Sequence, residues 1–135
     1  MGSRIPLDYS APSFPSLYVP VFGVPGENNY LYYTEDVWRF TLYWTLILYG
    51  GAHLAVAFWA VAVQWRNWRM MWAVPLVYGV VGGLEALLAG SVVGLILGAV
   101  YEAGNFTMST WIPLVWAVIS VLVLIISSFP MQGAL

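Results

Sequence analysis

The feature that most constrains this chain is the near absence of charge over most of its length. No Asp, Glu, Lys or Arg lies between Phe40 and Trp65, none follows Glu102, and the interval from Met70 to Tyr101 is broken by Glu85 alone. A helix rises 1.5 Å per residue, so about 20 apolar residues cross the ~30 Å hydrocarbon core of a bilayer. Only 7% of the 135 residues are charged and 61% are hydrophobic, whereas a soluble domain is about 25% charged. Four basic and six acidic side chains cannot cover the surface of such a domain in water. The solvent of the folded chain is therefore lipid. A net charge of −2 without a basic cluster gives no electrostatic footprint for nucleic acid or for an anionic membrane surface. With no cysteine there are no disulfides, thiolate nucleophiles or sulfur-ligated metals.

Residues 1–34 hold Pro6, Pro12, Pro15, Pro20 and Pro25 among many aromatics, a spacing at which no helix forms. They lack the basic start and apolar stretch of a cleavable signal, and Pro6 stands where an N-myristoylation motif wants Ser or Thr. An extended tail is expected, resting its aromatics at the membrane interface. Thr34 can cap a helix with Glu35 and Asp36 in its first turn, where the helix dipole favours acids. The expected fold is all-α: a polytopic membrane domain over 35–135 with helices at about 37–64, 70–101 and 110–129. The second stretch exceeds the core thickness, so it must tilt, bend at Pro75 or its glycines, or project, with a break near Gly82 and Gly83 as the alternative. Pro113 falls in the first turn of the third span, where its missing N–H costs little.

Arg66 and Arg69 occupy the first connection, while the second has neither Arg nor Lys, which places the first in the cytosol. The amino terminus is then luminal or exterior and the carboxyl terminus cytosolic, with Arg39 as a counterweight. Asn105-Phe106-Thr107 is a glycosylation sequon on the outer side, expected to be unused because membrane ends lie so near it. Trp65, Trp68 and Trp72 mark one interface and Trp38, Tyr101 and Trp111 the other, whereas Trp44, Trp59 and Trp116 fall deeper, as packing residues.

An acid inside a span costs about 2.5 to 3.5 kcal/mol on insertion scales and persists only with a partner, water or a neutral form. This makes Glu85 the leading candidate residue. His53 lies ~16 Å before the end of the first span and Glu85 ~22 Å after the start of the second, so the two can share a depth. Ser91 joins them as a lipid-path candidate. The pair is equally readable as a structural clasp, or Glu85 as simply protonated. A metal site lacks ligands, no cofactor is implied, and no serine stands in a nucleophile motif, so no catalytic residue and no enzyme are expected. Gly82, Ala86, Gly90, Gly94 and Gly98 form a ladder of small residues at four-residue spacing. It can pack against the first span, the third span or a second copy, or offer headgroups a groove. Enclosing a path with three helices favours a homodimer through this ladder.

With Trp38-x5-Trp44-x8-His53 in the first span, and Gly98-x-Val100-Tyr101-x-Ala103-Gly104 followed by Met108, the chain resembles the transmembrane protein 170 family over about Glu35 to Phe129. The tract Asp36 to Leu42 and the closing Ser127-Ser128-Phe129 are most similar to its fungal branch. The resemblance implies a small three-span protein of the endoplasmic reticulum and nuclear envelope with a luminal amino terminus. It also implies a role in membrane shape and lipid handling, linked to phospholipid scrambling with bridge-like lipid-transfer proteins. Glu85 departs from the animal pattern, which has a small residue there. The expected function is energy-independent scrambling of phospholipids in the reticulum membrane; the alternative is a structural or adaptor protein that shapes that membrane. Proton-coupled transport is disfavoured by the small size and missing internal repeat.

Overall fold

The computed structural model describes residues 5–14, 16–17 and 29–129, with the side chains of Trp68 and Met70 excepted. Its elements are β1 (Tyr30–Leu31), α1 (Thr34–Val63), α2 (Trp68–Met71), α3 (Ala73–Ala103), β2 (Met108–Ser109) and α4 (Trp111–Ser128). Three of the helices, α1, α3 and α4, are long and apolar enough to cross a membrane. The chain is a mostly helical, multi-pass membrane protein.

The packing is dominated by α1 against α3; α4 leans on α1 and scarcely meets α3. The α1/α3 seam is antiparallel and set by the small-residue ladder. A Cβ at Gly98 would fall 3.0 Å from the Thr34 Cα, one at Gly94 2.9 Å from the Trp38 Cα, and one at Gly90 3.1 Å from the Leu42 Cα. Backbone atoms cannot yield as a side-chain tip can, so these glycines set the interhelical distance. The α1 side of the seam carries Thr41 and Thr45, which are 0% and 1% exposed. Each satisfies its hydroxyl by donating to the carbonyl one turn back, Thr41 to Val37 at 2.8 Å and Thr45 to Thr41 at 2.7 Å. A polar residue thereby becomes a small apolar wall. The ladder packs on α1 of the same chain, one of the partners that the sequence leaves open to it.

Residues 73–103 form one uninterrupted helix, and Pro75 lies in its first turn, where no intrahelical hydrogen bond is lost. The end of α3 is closed by Asn105 in the left-handed conformation, φ 53°. The Asn105 N–H donates to the Glu102 carbonyl, and the Phe106 N–H to that of Tyr101. The Phe106 ring lies edge-on to Tyr101, 6.2 Å between centroids, completing a Schellman closure with its hydrophobic contact. Thr34 is not the cap of α1: that position is Tyr33, without a side-chain bond. The Thr34 hydroxyl instead donates to the Glu102 carboxylate, tying the start of α1 to the end of α3.

The described parts of the amino-terminal segment are docked on the helices. β1 and β2 pair antiparallel, Tyr30 opposite Ser109 and Leu31 opposite Met108. Leu31 and Met108 join Val37, Phe40 and Leu97 in a core at this end of the bundle. Sequence pattern alone shows neither two-residue strand, because each is too short for an alternation signal. Phe14 stacks edge-on against Phe40 and Tyr43. The Tyr9 hydroxyl donates to Asp36 at 3.0 Å. The middle of the predicted extended tail, residues 18–28, lies outside the described residues.

Two outcomes are expected. Gly94→Ala should destabilise the bundle by about 1 to 3 kcal/mol, the usual cost of overpacking. Gly83→Ala meets open space and should be neutral or slightly stabilising, since alanine is the better helix former; thermal unfolding in detergent compares them. For the docked segment, burial and the adjacent Asp36 carboxylate push the Tyr9 phenol above its ordinary value. A raised value in the folded state means that docking is secure below about pH 10 and weakens as pH rises beyond it. Limited proteolysis of residues 5–14 should accelerate in that alkaline window, and Tyr9→Phe should remove the acceleration.

Candidate functional site

His53 and Glu85 project from α1 and α3 and meet at the end of the seam farther from the strand pair. His53 is seated there by the last rung of the ladder, for a Cβ at Gly82 would lie 2.7 Å from the imidazole Cγ. The ring stands face-parallel to Tyr49, one turn earlier on α1, at 6.4 Å between centroids. Tyr78 approaches from α3 at the same centroid distance, tilted. The Tyr49 hydroxyl reaches the Ser120 carbonyl of α4 at 3.2 Å, so this tyrosine couples the third helix to the site.

The proton positions follow from the partners. His53 Nδ1 lies 2.8 Å from the Tyr49 carbonyl, which can only accept, so Nδ1 carries a hydrogen. His53 Nε2 faces Glu85 Oε2 at 3.4 Å. The contact is too loose to count as a hydrogen bond, and Glu85 Oε2 is buried without one. The Glu85 side chain as a whole is 43% exposed and that of His53 14%, so the acid looks outward past the histidine.

It looks into a partly open cleft of about 280 Å³ between α3 and α4, floored by α1. The cleft exists because α4 packs on α1 and not on α3. Its lining is mostly apolar, with His53, Glu85, Tyr78 and Ser128 as the polar members. Ser128 is the last residue of α4, so the cleft runs from the His53–Glu85 pair to the end of the third helix. The span length in the sequence suggests a mid-membrane acid, but α4 ends beside it: at 18 residues α4 is ~27 Å long, against ~45 Å for the 30 residues of α1.

Ser91, grouped with this pair from the sequence, does not line the cleft; six residues past Glu85, it is rotated by roughly 240° and displaced ~9 Å along the helix. The ladder residues Gly82, Ala86, Gly90, Gly94 and Gly98 are all buried, so they form the seam and not a groove. Trp59, read as a packing residue from its depth, is 72% exposed. Tyr49 and Tyr78 are the members the sequence reading passed over; they stand four residues before His53 and seven before Glu85, on the same helix faces. Among the described residues no three His, Cys, Asp or Glu side chains converge as metal ligands do.

The chain is 37% identical over 133 residues to an uncharacterized protein of Saccharomyces cerevisiae (strain ATCC 204508 / S288c), YPR153W, an alignment covering 98% of this chain and 94% of that protein. No solved structure matches it. Residues 30–135, from the first strand through all three spans, match the family described as Transmembrane protein 170A/B-like. The chain belongs to the transmembrane protein 170A/B-like family.

Proposed function

We propose that the protein is an energy-independent phospholipid scramblase of the endoplasmic reticulum membrane, working beside a bridge-like lipid-transfer protein. The observation that carries this reading is the partly open cleft, which puts His53, Glu85 and Tyr78 on an open side of a three-helix bundle. A phospholipid flips slowly because its headgroup must leave water for hydrocarbon. A wetted carboxylate and imidazole at membrane depth, flanked by apolar walls for the acyl chains, lower that barrier without any bond being made or broken. The scramblase is thus not an enzyme in the bond-changing sense. The basic residues Arg66 and Arg69 of the α1–α3 connection support a cytosolic position for that end. The amino terminus is then luminal, and the Ser128 mouth of the cleft opens toward the leaflet that a cytosolic lipid bridge would feed.

The competing reading is a structural or adaptor protein that shapes the membrane. It is favoured by one observation: the far end of the α1/α3 pair outruns α4 and exposes Phe58, Trp59, Trp72 and Leu76. Purified protein in vesicles with fluorescent phospholipid separates the two. In the scramblase reading dithionite quenches nearly all of the fluorescence; quenching of the outer leaflet alone assigns the protein to the structural class. Glu85→Leu should slow scrambling about tenfold or more, corresponding to roughly 1.4 kcal/mol or more on the barrier. Gly82→Ala, which keeps both polar groups but displaces the imidazole, should slow it as well.

A further inference from the structure

The cleft has a sign. Its lining carries a carboxylate, an imidazole, a phenol ring and a serine, but neither Arg nor Lys. Ser128 closes α4, and the last turn of that helix has no basic residue. The partial negative charge of a helix carboxyl end therefore adds to that of Glu85. Only the Oε2 side of the Glu85 carboxylate is turned onto His53; the side chain as a whole is 43% exposed and lines the cavity, and Tyr78, 38% exposed, lines it too and offers a cation its ring. A phosphate would meet acceptors here; an ammonium would meet what it needs. The volume of about 280 Å³ accommodates the roughly six heavy atoms of a choline group at about 30 Å³ each. Val56 and Leu124 add apolar wall, which suits methyl groups and the ethylene arm.

The geometry points to a binding site for the positively charged amine of a zwitterionic phospholipid, choline or ethanolamine, with Glu85 as counter-charge and Tyr78 as the ring it lies against. The acyl chains continue out of the open side between α3 and α4. The site rests on the scramblase reading for its use, since a headgroup held there is a headgroup partway through the hydrocarbon.

Binding is measured apart from flipping. The full chain, in detergent, is mixed with phosphatidylcholine, phosphatidylethanolamine or phosphatidylglycerol, and retained lipid is counted by native mass spectrometry. Phosphatidylcholine and phosphatidylethanolamine should be retained about tenfold better than phosphatidylglycerol, which lacks the amine, a ratio that corresponds to about 1.4 kcal/mol. Glu85→Gln, close to isosteric and still hydrogen-bonding, should abolish the preference while the circular dichroism is unchanged. Tyr78→Leu should weaken phosphatidylcholine more than phosphatidylethanolamine, because a quaternary ammonium has no N–H to give the carboxylate. Equal retention of all three lipids by the wild type, or a preference that survives Glu85→Gln, overturns the site. Choline chloride binding as tightly as the lipid would assign the cleft to a soluble amine and overturn the headgroup reading. Loss of dithionite access in vesicles with the lipid preference intact would remove the scramblase function but not the site.

Discussion

The structure depends on how closely two helix backbones can approach in a solvent that offers no hydrophobic drive to bring them together. In lipid, association rests on packing and hydrogen bonding, and α1 and α3 pack closely where Gly90, Gly94 and Gly98 present no side chain to α1. The Thr41 and Thr45 hydroxyls turn back onto their own helix, so the opposing surface is smooth. At one end the seam is tied by Thr34 and Glu102, and at the other it opens around His53 and Glu85. Fold and candidate site are two stretches of one helix contact.

The third helix gives the site its access. Because α4 leans on α1 and is shorter than its neighbours, the acid of α3 is left with an open side and not a third wall. Tyr49 bridges the two halves of this arrangement, passing its backbone carbonyl to His53 and its hydroxyl to Ser120. The result is an acidic side chain half in contact with the bundle and half facing a cleft.

Much of this was legible in the sequence, and the reasons are local. Charge-free length marks the three spans, and a four-residue period marks the ladder. Counting 1.5 Å per residue from opposite ends brings His53 and Glu85 to one level, as the 3.4 Å contact shows. What the sequence could not show was choice among partners. The ladder suits α1, α4 or another copy equally until the distances from Gly94 to Trp38 and Thr41 are known. Strands of two residues, such as Tyr30–Leu31 and Met108–Ser109, carry no periodicity. The position of Ser91 away from the cleft depends on the rotation of α3, which the seam fixes.

The central claim is that the glycine ladder closes on its own chain. The absence of native cysteine makes cross-linking a clean measurement. A Cβ built at Gly90 lies 3.2 Å from that of Thr45, and one at Gly94 lies 3.2 Å from that of Thr41, close to the separation in a disulfide. The double variants Thr45→Cys with Gly90→Cys and Thr41→Cys with Gly94→Cys, oxidised in native membranes, should form a bridge within one chain and migrate as cross-linked monomers. Dimers joined through these positions, with no intrachain bridge, would contradict the account.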